Sequence, residues 1–195
     1  MHFEGAMQGF STDVTSTSLA LLLGILSLSV TSDAIATSSD LYDRYFSNVL
    51  AGPPCFARTY DDAHLKAHPA QRVRSIEIDL SKTNSDGSPN SSDRFELGFA
   101  LMLATSSDWY GQAASCKASD SAFECFLEGD GGLFRLTPTA DGGLRLETGE
   151  TGIAIEGTSD TIELSGTEGD DRVFELLPSK GECDAAHAFF EGGNE

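Results

Sequence analysis

Between Arg94 and Ala104 the chain alternates with period two. Phe95, Leu97, Phe99, Leu101 and Leu103 fall on one face, and Arg94, Glu96, Gly98, Ala100 and Met102 on the other. Successive side chains of a strand point to opposite sides, so this stretch predicts a half-buried antiparallel strand. A helix would need apolar positions three and four apart. The alternation recurs in shorter units. Residues 73–80 place Ile76, Ile78 and Leu80 inward with Glu77 and Asp79 outward. Further strands are predicted over 109–117, 122–128, 133–138, 143–148, 152–157, 161–165 and 172–177, which makes nine. Asp130-Gly131 and Asp141-Gly142 mark tight hairpin turns, whose backbone needs the positive φ that such pairs tolerate. Residues 82–93, rich in Ser, Asn, Asp and Gly, are long for a hairpin and are expected to be mobile.

Helical spacing occurs ahead of these strands. Leu41, Tyr42, Tyr45, Phe46, Val49 and Leu50 predict an amphipathic helix of about three turns. Ser39 or Asp40 would cap it, and Gly52-Pro53-Pro54 would end it. Residues 59–69 predict a short second helix started by Thr59 or Asp61 and closed by Pro69. No pattern long enough for a crossover helix separates the strands, which argues against a parallel sheet. The fold class is therefore mainly β: an antiparallel up-and-down meander closed, fully or in part, into a β-barrel, with a β-sandwich as the alternative. The predicted organisation is a signal peptide over 1–36, a helical segment over 37–72 packed on the barrel, the barrel over 73–183 and a C-terminal tail over 184–195. Within that tail, 184–190 is either one more helical turn or a frayed end.

The signal peptide rests on an apolar run, Leu19 to Val30, too short to span a bilayer comfortably and followed by Ala34-Ile35-Ala36. Cleavage after Ala36 would start the mature chain at Thr37. The leader carries Glu4 and Asp13 and no Lys or Arg, which also leaves room for an uncleaved anchor or a different start. The chain has 12 basic and 31 acidic residues, a net charge of −19. Such a balance argues against nucleic acid and against anionic membrane surfaces, both of which are held by Lys and Arg. Four cysteines, Cys55, Cys116, Cys125 and Cys183, suit an exported chain with disulfides, and no CxxC supports a zinc ribbon or a thioredoxin-like site. Cys116 and Cys125 lie in consecutive predicted strands, so a bond between them needs only a hairpin. Cys55 would then join Cys183.

Cys116 and Cys125 with eight residues between them, the turn Glu128-Gly129-Asp130-Gly131-Gly132, the stretch Gly169-Asp170-Asp171-Arg172-Val173-Phe174 and a final Cys183 together form a pattern. Over roughly residues 53–183 it resembles a group of small exported bacterial β-rich proteins that are themselves uncharacterised. The resemblance implies export and a shared fold and carries no activity.

His64 and His68, at i and i+4 with Asp61 one turn earlier, have the spacing of paired metal ligands. Leu65 stands where the catalytic zinc motif has Glu, and Pro69 pushes His68 out of the helical region. His187 is the third imidazole that a Cys55–Cys183 bond would bring to the same end of the barrel. Surface or cap-forming histidines are the competing account. Trp109 and Tyr110 are candidates for a ligand rim at the barrel mouth, or else aromatics packed on the core edge. Asp130, Asp141, Asp160, Asp170 and Asp171 lack the tandem period of calcium repeats, and hairpin chemistry accounts for them. Asn84-Ser85-Asp86-Gly87 lacks the closing Glu of an EF-hand. No Gly-x-Ser-x-Gly and no phosphate-binding loop occurs. The function expected is an exported acidic binding module, monomeric and without a cofactor, whose ligand is a protein or a small apolar molecule. A metal-dependent enzyme using His64, His68 and His187, or a structural envelope protein, are the alternatives.

Overall fold

The computed structural model describes residues 37–47, 54–157, 160–179, 181 and 183–191; the predicted signal peptide lies outside them. Among the described residues nine strands build one antiparallel sheet: β1 (Cys55–Thr59), β2 (Val73–Leu80), β3 (Phe95–Leu103), β4 (Trp109–Ala118), β5 (Phe123–Leu127), β6 (Gly132–Pro138), β7 (Leu144–Glu156), β8 (Thr161–Leu164) and β9 (Val173–Pro178). The spatial order is β6-β5-β4-β3-β2-β1-β9-β7-β8, and β6 also pairs with β7. Eight strands therefore close a barrel, and β8 hangs on β7 alone. The meander runs as predicted through β7. It then departs, because β9 rather than β8 fills the place between β7 and β1.

Two strand predictions change. Cys55–Thr59, placed in the helical segment by its sequence, is a barrel strand paired with both β2 and β9. Five residues are too few for alternation to stand out. The separate strands predicted over 143–148 and 152–157 are one 13-residue strand. Its first half pairs with β6 and β9 and its second half with β8. The strand bends where Gly152 takes φ 76°, a conformation that residues with a Cβ rarely adopt. A Cβ there would also run into the backbone of Leu164.

Phe95, Phe99, Phe123, Phe134 and Phe174, with Leu97, Leu101, Leu136, Leu144 and Leu146, are fully buried. Phe99 and Phe134 meet across the bore at 5.3 Å. An eight-stranded barrel is just wide enough for its own side chains, and here they fill it.

One end of the barrel is stoppered. The helix expected over 41–50 starts earlier, as α1 (Ser38–Tyr42), and continues as a π-helical turn, Asp43–Ser47; residues 48–50 lie outside the described residues. Its cap is Thr37 rather than Ser39 or Asp40. The Thr37 hydroxyl accepts from the Asp40 N–H, while the Asp40 carboxylate accepts from the Thr37 N–H. Tyr42 packs on Phe95 at 5.1 Å and Phe46 on Phe123 at 4.9 Å. Both partners head their strands at the same end, so the segment inserts an aromatic plug there.

The predicted half-buried strand is buried on both faces. Its outer side carries Gly98 and Ala100, and these small residues let a helix approach. That helix is α3 (Asp184–Glu191), where a single helical turn or a frayed tail was expected. Ala100 and Ala186 are both fully buried, and the Phe189 ring lies on Gly111, where a Cβ would collide with it. Docking α3 also covers Glu77 and Asp79. They point out of the barrel as predicted, yet Asp79 is 2% exposed. Leu80, predicted inward, packs against the core and is partly exposed at the strand end.

The segment between β2 and β3 is a hydrogen-bonded loop rather than a bare connection. Glu96, 6% exposed, accepts from the Ser85 N–H and hydroxyl, while the Asn90 amide donates to the Ser81 carbonyl.

Candidate functional site

Both disulfides have the predicted pairing. Cys116–Cys125 ties neighbouring strands across their direct register, and Cys55–Cys183 spans 128 residues and fastens α3 to β1. Disulfides are compatible with an exported protein.

The three histidines are not gathered by that bond. β1 runs from Cys55 at the plugged end to Thr59 at the opposite rim, and α2 (Asp62–Ala67) follows there. His64 and His68 therefore sit at the far rim, whereas His187 Nδ1 meets Asp79 Oδ2 at 3.0 Å, and Asp79 is the register partner of Cys55. The metal set His64/His68/His187 is thus pulled apart by the length of one strand. Asp61 caps α2 through the His64 N–H, and the His64 ring stacks between Tyr60 and His68 at 4.5 and 4.4 Å. Its Nε2 bonds Gln71 at 3.0 Å. His68 is the C-cap, out of helical geometry (φ −121°, ψ 70°), as the following proline requires. Among the described residues no group of three or more His, Cys, Asp or Glu is placed to hold a metal ion.

Trp109 and Tyr110 part company because neighbours on a strand face opposite ways. Trp109 packs outside the barrel in the cluster that includes Phe189. Tyr110 faces inward at the far rim, its hydroxyl 3.5 Å from Asp160 and its ring against Gly157. Burial and the Asp160 carboxylate push that hydroxyl's pKa up. Of the pair, only Tyr110 lies at a barrel mouth, beneath the β7–β8 hairpin.

A concavity lies at this same rim. It is a groove of about 740 Å³ whose walls are Ala70 and Arg72 ahead of β2, the Asp130-Gly131-Gly132 turn, the β7 bend, the end of β8, and the loop from Glu168 to Asp171. Glycines allow these segments to close on one another: a Cβ on Gly132 (φ 84°) would lie 2.6 Å from the Gly152 carbonyl. Asp130, Glu163 and Glu168 are exposed, while Asp171 is 3% exposed. Asp171 accepts the Arg72 N–H at 2.9 Å, the Val73 N–H at 3.0 Å and the Arg72 Nε–H at 3.2 Å. Arg72 also donates through Nη2 to the Glu163 carbonyl. Arg72, the one cation among the described residues of the groove, is thereby neutralised by Asp171, and the remaining carboxylates give the groove a negative field.

Of the five turn aspartates, Asp141 binds Thr139 and the Gly143 N–H, as hairpin chemistry predicts. The role of Asp171 was not evident from sequence, since the contact with Arg72 crosses 99 residues. The only hint was an Asp-Asp-Arg run immediately ahead of a strand.

No family model matches the chain, and no curated protein or solved structure matches it. Fold and groove together define a small disulfide-bonded antiparallel β-barrel, solid in its bore, stoppered at one end and grooved at the other.

Proposed function

We propose that this chain is an exported recognition module that binds a basic segment of a partner protein in the groove at the far rim. The observation that carries the reading is the pairing of a filled bore with an acid-lined surface groove. Five fully buried phenylalanines occupy the space a small apolar ligand would need. That favours the protein branch of the two ligand classes expected. The groove instead offers Asp130, Glu163 and Glu168 to solvent, with Arg72 already satisfied by Asp171. Without residues 1–36, which hold three acids and no Lys or Arg, the chain has 28 acidic and 12 basic residues, and this net charge of −16 also attracts cationic partners at long range. Binding rather than catalysis is proposed because the described residues of the groove include no His, Cys or Ser beyond Ser165 and no nucleophile–base pair.

The test is a titration of the folded protein with a lysine-rich heptapeptide, comparing wild type with an Asp130→Asn/Glu168→Gln double variant. The reading expects binding that weakens with salt and at least tenfold lower affinity in the variant. Equal affinity of the two proteins would remove the groove as the site.

A further inference from the structure

β8 is an edge strand whose outward backbone groups can be identified. Along an antiparallel pair, hydrogen-bonded and non-bonded residue pairs alternate. The Gly157 N–H donates to the Asp160 carbonyl at 2.7 Å, which makes that pair a bonded one. Counting along the register, Ile155–Ile162 and Ile153–Leu164 are bonded pairs, and Glu156–Thr161 and Ala154–Glu163 are not. The other side of β7 agrees. There the Ala154 N–H donates to the Gly131 carbonyl at 2.9 Å and the Glu156 N–H to Gln112 Oε1 at 3.4 Å, both turned away from β8. Thr161 and Glu163 therefore direct their N–H and C=O groups to the open edge, and among the described residues β8 has no second strand neighbour.

That edge borders the groove, between β8 and the Ala70–Arg72 segment. Among the described residues, its one engaged group is the Glu163 carbonyl, held by the Arg72 guanidinium. An arginine on an edge carbonyl blunts pairing with other chains, and it also marks what the edge accepts, a donor carried by a cation. Resting on the functional reading above, we infer that the basic segment binds as an added strand on β8, with cationic side chains at alternate positions. The added backbone pairs with Thr161 and Glu163. Alternate side chains of an added strand share a face, so one set enters the groove toward Asp130 and Glu168. Charge selects this occupant, since an acidic or neutral strand would meet uncompensated carboxylates. Arg72 moves off Glu163 while Asp171 keeps its backbone bonds to Arg72 and Val73.

Calorimetric titration of the full chain with acetyl-Lys-Val-Lys-Val-Lys-Val-Lys-amide tests the mode. Two companions serve as comparison: the same peptide N-methylated at the three valines, and one N-methylated at the four lysines. An added strand uses the donors of one alternate set only, so one methylated peptide should lose at least tenfold in affinity and the other should stay within threefold. Thr161→Pro, which removes an outward N–H without touching the β7 ladder, should likewise cost at least tenfold. Hydrogen exchange at the Thr161 and Glu163 amides should slow on binding the parent peptide. If both methylated peptides bind like the parent, strand addition is overturned and charge-only binding in the groove stands. If the parent peptide binds equally to wild type and to Asp130→Asn/Glu168→Gln, the groove reading and this inference fall together.

Discussion

Asp171 holds Arg72 by its backbone as well as its side chain: the carboxylate takes the Arg72 N–H at 2.9 Å and the guanidinium Nε at 3.2 Å. A third bond, to the Val73 N–H, is buried. The start of β9 is thereby stapled to the start of β2 across the intervening β1. Removing the acceptor strands donors that have little access to water, at about 1–3 kcal/mol for such a group. Asp171→Ala is expected to lower stability by about 3 kcal/mol. Arg72→Gln keeps its backbone bonds and loses a half-exposed ion pair, worth under about 1 kcal/mol. Denaturant midpoints of the two variants check the order, and equal midpoints would contradict it.

The Cys55–Cys183 bond to β1 and the Phe189 ring on Gly111 of β4 together hold α3 on the outer face of the barrel. Closing 128 residues contributes at most about 5 kcal/mol in the chain-entropy view. The Cys55→Ser/Cys183→Ser variant is expected to lose a large part of this. Phe189→Ala leaves the disulfide in place and uncovers Trp109, the only tryptophan. Its fluorescence should shift to the red in Phe189→Ala. An unchanged emission maximum would show that α3 does not cover that face in solution.

The loop between β2 and β3 contains an acid-resistant carboxylate. Bonds from Ser88, side chain and then backbone, followed by Arg94, lower the Asp86 pKa to about 2. A depressed folded-state pKa stabilises above the ordinary value of 3.8 and loses that contribution as pH falls through about 2. Carboxyl carbon shifts should therefore show Asp86 ionised at pH 3. Ser88→Ala should raise its midpoint more than Arg94→Gln does, and the reverse order would reject this ranking of causes.

Processing after Ala36 would turn the Thr37 nitrogen into an ammonium group, placed 3.0 Å from Asp40 Oδ2. The backbone and hydroxyl bonds of Thr37 already hold the Asp40 pKa below its ordinary value. The exported protein is expected to have the intact mass of a chain beginning at Thr37. A mass that retains residues 1–36 would defeat the proposed cleavage.

Sequence alone determined the class of fold, the strands from β2 onward apart from the unbroken run of β7, and the disulfide pairing. These depend on local alternation and on cysteines in adjacent hairpin strands, and both are readable over ten residues or so. The unusual Gly98 and Ala100 on the outer face of Arg94–Ala104 were in view as well, yet their meaning was not. Small residues report that something comes close, and only the docked α3 says what. Tertiary structure likewise decided that five residues from Cys55 make a wall of the barrel and that β9 takes the place next to β1. It set His187 a strand's length from His64 and His68, and it turned Asp171 from a turn residue into a staple. Each of these depends on which distant segments closure brings together. An eight-stranded barrel fixes that by completing its ladder, and no local pattern carries information about the partner that completes it.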